Sequence, residues 1–351
     1  DVLAKLLDLA KEGATVVFLD QYPEDVPGYA GLERRRTEFK RTLEQIKKLG
    51  NERGKDQTVF FGTDYARTLA QTAAIPEAMK TSFDLSCIRR KNTEGYHYFI
   101  SALTGKDTES WIPLAVPARS AMLYNPMNGA SGKALLRQKD GKTEVYLQLA
   151  SGESAILKTF TEADVQVPEW KYQTVAQGTV ELSGLWSLRF VESAPAVHSV
   201  PDSVSLGSWT DLSFEGAGTT MGTGCYTTAF VIENPASAQD WQLSLGDVRE
   251  SARVRINGRE VATLWAVPYC CPIGQYLRPG KNILEIEVTN LPANRIADMD
   301  RRGVKWRIFK DINIAALGYK KGTYAGWEPV PSGLLGPVRI IPLKITKNEM
   351  Q

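Results

Sequence analysis

Ala252-Arg253-Val254-Arg255-Ile256-Asn257-Gly258-Arg259-Glu260-Val261 and Pro279-Gly280-Lys281-Asn282-Ile283-Leu284-Glu285-Ile286-Glu287-Val288 decide the fold of the second half of this chain. In both, apolar side chains return at every second position with polar or charged residues between them, the period of a half-buried strand. Asn257-Gly258 accepts the positive φ angles of a tight hairpin, and Pro279-Gly280 turns the chain into the next strand. The same language recurs at 186–190, 224–230 and 241–245. Residues 168–351 are therefore expected to form a β-sandwich.

Upstream the pattern changes twice. Residues 87–91, 96–100 and 144–149 read as strands, with Asn92-Thr93-Glu94-Gly95 and Asp140-Gly141-Lys142 as turns. Residues 81–167 are thus expected to be a small antiparallel β-module. Residues 1–80 alternate helix and strand. Ala14-Thr15-Val16-Val17-Phe18-Leu19-Asp20 and Thr58-Val59-Phe60-Phe61-Gly62 are apolar runs expected of strands covered on both faces. A helix over 33–49 is expected to stop at Gly50, and Thr63-Asp64 to cap a helix through Ala73. Two strands make a poor sheet, so this segment reads as a partial α/β domain whose other strands precede Asp1. Leu3, Leu6, Leu7 and Ala10 fall on one helical face, and the chain is expected to open inside a helix of a longer protein, without a signal peptide. The predicted fold class is mainly β.

Composition excludes several functions. The chain has 351 residues, more than one domain of roughly 100–200, and 43% apolar with 23% charged residues is a globular balance. Forty-two basic against 40 acidic residues leave a net charge of +2, giving no electrostatic reason to expect nucleic acid or an anionic membrane. No apolar run approaches membrane-spanning length. Arg34-Arg35-Arg36 and Lys47-Lys48 have glutamates nearby and read as a solvated helix face. The four cysteines, Cys87, Cys225, Cys270 and Cys271, form no CxxC, and with only His97 and His198 beside them a zinc site is not expected. A serine hydrolase lacks its G-x-S-x-G elbow here.

The stretch from Asp247 to Val261, its sequel Leu264-Trp265-Ala266-Val267-Pro268-Tyr269 and the lead-in from Leu277 to Asn290 resemble the galactose-binding-like jelly roll attached to many glycoside hydrolases. Two further segments are more specific: Asn294-Arg295-Ile296-Ala297-Asp298-Met299-Asp300-Arg301-Arg302-Gly303-Val304-Lys305-Trp306 and Pro331-Ser332-Gly333-Leu334-Leu335-Gly336-Pro337-Val338. Together they resemble the C-terminal region of family 106 α-L-rhamnosidases. The segment from Ile88 to Ile100 and Tyr124-Asn125-Pro126-Met127-Asn128-Gly129 resemble the β-segment that follows the barrel in those enzymes. A family 2 glycoside hydrolase, which shares the jelly roll, is the alternative parent.

That resemblance implies hydrolysis of terminal rhamnose in plant glycans by paired carboxylates in an N-terminal (β/α) barrel, standing about 6.5–9.5 Å apart in an inverting enzyme. Residues 1–80 offer two βα-type strands where a barrel needs eight, so no catalytic residue is carried over. The expectation is a non-catalytic C-terminal portion of a bacterial glycoside hydrolase, exported to the periplasm or secreted. Its partner is either carbohydrate or the catalytic barrel of the same polypeptide, the alternative being a purely structural module without sugar affinity. Pyranose faces stack on aromatic rings, which makes Trp265, Tyr269, Trp306 and Trp327 the candidate sugar contacts, with Tyr324 near them and Arg295 as a hydrogen-bond donor beside Arg249 and Arg307. Trp186 and Trp241 read as core, and Asn257 as a turn residue. Asp298 and Asp300, in a charged loop, are the candidate metal ligands. Calcium would suit such oxygens, a turn salt-bridged to its own arginines is the competing reading, and no cofactor is required.

Overall fold

The computed structural model describes residues 2–52, 57–72, 74–307 and 322–346. Two compact units divide the chain, residues 1–77 and residues 78–351.

The first unit runs α1 (Val2–Lys11), β1 (Val16–Leu19), α2 (Leu32–Asn51), β2 (Val59–Gly62) and α3 (Tyr65–Leu69). Strands β1 and β2 pair in parallel, Val16 opposite Val59 and Leu19 opposite Gly62. Leu7, Ala10, Ile46 and Val59 form the buried core. The apolar runs expected to be covered on both faces are only partly covered: Leu19 is 38% and Phe61 45% exposed. A pair of strands with helices of this size has too little surface to cover two faces. Helix α2 passes through Gly50 rather than stopping there. A glycine inside a helix costs about 1 kcal/mol, and here it permits a close approach, since a Cβ on Gly50 would lie 3.4 Å from Val59 Cγ1. Asp64 caps α3 by accepting from the Arg67 amide at 3.0 Å. That helix ends at Leu69, whose carbonyl accepts from the Thr72 hydroxyl at 2.7 Å; Ala73, the expected end, lies outside the described residues.

The second unit begins with α4 (Ala78–Ser82) and eight strands: β3 (Ser86–Lys91), β4 (Gly95–Ser101), β5 (Thr108–Pro113), β6 (Ser120–Tyr124), β7 (Ser131–Lys133), β8 (Leu136–Lys139), β9 (Lys142–Leu149) and β10 (Ser154–Phe160). They form one sheet of order β3-β4-β10-β6-β7 and another of order β5-β9-β8. Tyr98, Ile100, Leu123 and Leu157 of the first meet Ile112, Val145 and Leu147 of the second in one core. Asp140 and Gly141, at φ 51° and 74°, make the two-residue turn between β8 and β9.

Next come β11 (Tyr172–Val175), β12 (Val180–Glu181), β13 (Ser187–Ala194), β14 (Met221–Ile232), β15 (Asp240–Ser244), β16 (Asp247–Arg249), β17 (Ser251–Ile256), β18 (Arg259–Leu264), β19 (Cys270–Pro272), β20 (Gly280–Thr289), α5 (Ala293–Arg301), β21 (Gly333–Gly336) and β22 (Arg339–Thr346). One sheet has the order β13-β14-β20-β17-β18; the other has β11-β22-β15-β19 with β12 also beside β22. Their facing side chains, among them Leu188, Tyr226, Val254 and Ile286 on one side and Trp241, Leu243 and Ile340 on the other, share one core. This is the expected sandwich. Asn257 and Gly258 sit at φ 53° and 76° in the turn between β17 and β18.

Polar groups lock the middle of this core. Trp209 Nε1 donates to the Tyr226 hydroxyl at 2.6 Å, and the Leu334 amide donates to the same oxygen at 3.1 Å. Gly333 is what lets the chain pass so near: a Cβ there would lie 2.4 Å from Trp209 Nε1. Tyr172, on β11, reaches the other core, accepting from the Leu135 amide and donating to the Tyr146 carbonyl, both at 3.1 Å.

Candidate functional site

Helix α5 organises the candidate site. The segment around Asp298 and Asp300, expected as a charged loop, is a helix, and the spacing Arg295, Asp298, Arg302 explains why. Side chains three and four residues apart meet on one helical face, and Asp298 accepts from Arg295 at 3.1 Å and from Arg302 at 2.8 Å. Each end of α5 is tied to the segment that returns toward β21. The buried Asn294 carboxamide donates to the Val330 carbonyl and accepts from the Val330 amide, both at 2.8 Å. At the other end Arg301 Nε donates to the Ala325 carbonyl at 2.9 Å, and its Nη2 to the Trp327 carbonyl at 2.5 Å.

Asp300 gathers the segments that helix and return strand bring together. Its carboxylate accepts from Trp306 Nε1 at 2.7 Å, the Tyr324 amide at 2.8 Å and the Thr323 hydroxyl at 3.1 Å, with Arg307 Nη2 at 3.7 Å. The Tyr324 amide foremost, then the Trp306 indole, hold this carboxyl below its ordinary value. Arg307 donates to the Gly322 carbonyl at 2.9 Å and lies over two rings, 4.9 Å from the centre of Tyr324 and 5.2 Å from that of Trp306. Such cation–π contacts stiffen aromatic surfaces. The rings continue outward: Trp306 to Tyr324 is 6.2 Å, and Tyr324 to Trp327 is 4.5 Å with a 50° tilt. Trp327 ends the series 47% exposed. The result is a fixed indole facing solvent, backed by rings, a guanidinium and a carboxylate.

Four of the expected site residues, Arg295, Asp298, Asp300 and Trp306, thus lie on or just after α5, and Trp327 lies on the return segment. The metal expectation meets a different arrangement. Asp298 faces guanidinium groups and Asp300 faces N–H and O–H donors, whereas a divalent cation needs oxygen ligands that converge. Among the described residues no three His, Cys, Asp or Glu side chains converge on one point.

Trp265, expected in the same surface, follows β18 in a loop and is 64% exposed. Tyr269, expected beside it, is a core residue at 6% exposure whose hydroxyl donates to the Glu250 carbonyl; alternation into β19 turns its ring inward. Arg249 pairs with Asp247 at 2.7 Å. Asn257 uses its amide nitrogen on the Tyr276 carbonyl and the Asn282 side chain, which makes it part of the turn. Trp186 and Trp241 are core residues.

Three residues that build the site were passed over in the sequence: Asn294, Arg301 and Thr323. The helical spacing of the charges was the signal available for the first two; Thr323 carried none. Elsewhere, burial pushes the Glu153 carboxyl up, with the charge of Asp107 adding to it. In the first unit a cleft of about 770 Å³ is lined by Tyr22, Lys47, Gln57, Phe61 and neighbours.

No protein-family model matches the chain. Over 179 residues it is 31% identical to the "Putative beta-glucuronidase" of Formosa agariphila, a match that covers 46% of this chain and 15% of that protein. In structure it is similar to a rhamnosidase from Novosphingobium sp. PP1Y, with a TM-score of 0.59 and 24% identity over 97% of this chain and 32% of that one. Similarity to an FMN-binding beta-glucuronidase from Facaelibacterium prausnitzii L2-6 covers 48% of this chain and 23% of that one at 21% identity, with a TM-score of 0.31. The chain therefore spans less than a third of the length of each of these proteins. At 24% identity the likeness to the rhamnosidase is one of fold.

Proposed function

We propose that this chain is a non-catalytic portion of a glycoside hydrolase of the α-L-rhamnosidase type, and that it holds glycan on the surface ending in Trp327. The observation that carries this reading is a half-exposed indole packed on the Tyr324 ring, which is itself held by the Arg307 guanidinium and the Asp300 carboxylate. An exposed ring of fixed orientation suits the C–H face of a pyranose, and fixing it in advance lowers the entropy lost on binding. In this reading the catalytic (β/α) barrel with its eight strands belongs to the rest of the polypeptide, and β1 and β2, paired in parallel, are not that barrel. Export to the periplasm or outside the cell belongs to the same reading, by analogy with polysaccharide-degrading enzymes. Among the described residues no helix is long and apolar enough to cross a membrane.

Titration of the chain with rhamnose-containing and pectic oligosaccharides, followed by calorimetry, tests it. Saturable heat that disappears in Trp327→Ala and persists in Trp265→Ala is the expected result. A folded chain that gives no heat with any of them would overturn the binding reading.

The second reading, a supporting module without sugar affinity, is favoured by another surface. Register across β3, β4, β10 and β6 aligns Ile88, Phe99, Ile156 and Tyr124 in one row on the face away from the core, with Ile88 72% exposed. An apolar row of this kind is suited to packing against the catalytic domain of the same polypeptide. The match to the Novosphingobium rhamnosidase leaves about two-thirds of that enzyme for such a partner.

A further inference from the structure

The arginines around α5 are not equivalent. Arg295 and Arg302 share Asp298, and Arg307 faces Asp300. Arg301 is held instead by two carbonyl oxygens, those of Ala325 and Trp327, and no ion pair to it occurs among the described residues. Carbonyls orient a guanidinium without cancelling its charge. Among the described residues two of its five N–H groups are engaged, which leaves the outer edge of the planar fork open on an exposed side chain. The bond to the Trp327 carbonyl places that fork beside the residue whose indole faces solvent. The surrounding charge has the same sign: Arg295, Arg301, Arg302, Lys305 and Arg307 stand against Asp298, Asp300 and Glu328.

We propose that Arg301 and the open face of Trp327 form one subsite for an anionic sugar, a uronic acid residue within a glycan. The pyranose lies on the indole, and its carboxylate takes the free edge of the guanidinium. A planar carboxylate matches that fork in a bidentate pair, and a point cation such as lysine would not reproduce the geometry. This inference rests on the carbohydrate-binding reading and narrows it to a substrate class.

The test compares the full chain's affinity for a short oligogalacturonate, for its neutral methyl ester and for a sulfated galactan oligosaccharide, at low salt. Binding of the uronate about tenfold or more above the ester is expected from a charge-assisted pair. In Arg301→Ala the uronate should lose about tenfold more affinity than the ester, so that the preference vanishes even where loss of the anchor on the Trp327 carbonyl weakens both ligands. Arg301→Gln, which keeps an N–H donor for the two carbonyls without the charge, should behave alike and guards against a variant that misfolds. Trp327→Ala should weaken both ligands together. Equal affinity for acid and ester, a preference that survives both Arg301 variants, or tighter binding of the sulfated sugar would each overturn the uronate subsite while leaving sugar binding in place. A folded chain that binds none of the three would overturn the carbohydrate-binding reading with it.

Discussion

The first unit and the sandwich are both read from apolar runs, yet they bury very different amounts. Among the described residues of 1–77, four side chains, Leu7, Ala10, Ile46 and Val59, make the buried cluster, with Phe60 buried beside it in sequence. In the sandwich two five-stranded sheets enclose Trp186, Trp209, Tyr226 and Trp241 together with the aliphatic rows of β14, β17 and β20. A strand's pattern tells which face wants cover; how much cover it receives depends on how many partners the chain supplies. Burial at about 25 cal/mol per Å² therefore accumulates in the sandwich and stays thin in the first unit.

Truncating the centre of the sandwich should have the largest effect. Trp209→Ala removes a fully buried indole and leaves the Tyr226 hydroxyl without one of its donors. A loss of about 3–5 kcal/mol is expected in urea denaturation. The pH dependence points to the same network. Burial pushes the Tyr226 hydroxyl up to about 12, so it stays protonated in the folded chain while an unfolded tyrosine titrates near 10. The stability it contributes is complete below about pH 10 and lost as pH rises toward about 12. A denaturation midpoint that stays flat across that window, or a Trp209→Ala loss below about 1 kcal/mol, would mean that this core is less tightly built than its packing implies.

Ile46→Ala sharpens the contrast from the other side. Deleting a buried isoleucine side chain costs about 2–5 kcal/mol, and the cost depends on whether the site can collapse. Around Ile46 few buried neighbours hold the cavity open, so a value near the low end is expected, read from hydrogen exchange of the α1 and α2 amides. A loss as large as that of Trp209→Ala would erase the distinction between the two cores.

Local geometry with a local cause was legible in the sequence. The turns at Asp140-Gly141 and Asn257-Gly258 demand positive φ and have it, and the strands of the second half follow their period of two within a few residues. What escaped depended on distant partners. Tyr269 reads as a loop aromatic because it falls between predicted strands, but pairing of β19 with β15 draws it inward. Helix α5 was hidden because its sequence is charged, and charge alone does not separate a loop from a helix whose ion pairs run along one face. Of the site, the rings were visible as residue types, whereas their grouping was not. Asp300 joins Trp306 to Tyr324 across a sequence gap that carries no periodic signal.

The smallest effect expected is that of calcium. Asp298 and Asp300 are held by arginines, an indole and amide and hydroxyl donors. Calcium would have to displace several of these before it gained its six to eight oxygens. The melting temperature should therefore be the same in millimolar calcium and in excess chelator. Asp298→Asn weakens two ion pairs, with the exposed Arg302 and the mostly covered Arg295, but keeps an acceptor oxygen for both and should cost about 1 kcal/mol. A rise in melting temperature on adding calcium, abolished by Asp300→Asn, would show that the carboxylates leave their donors for the ion.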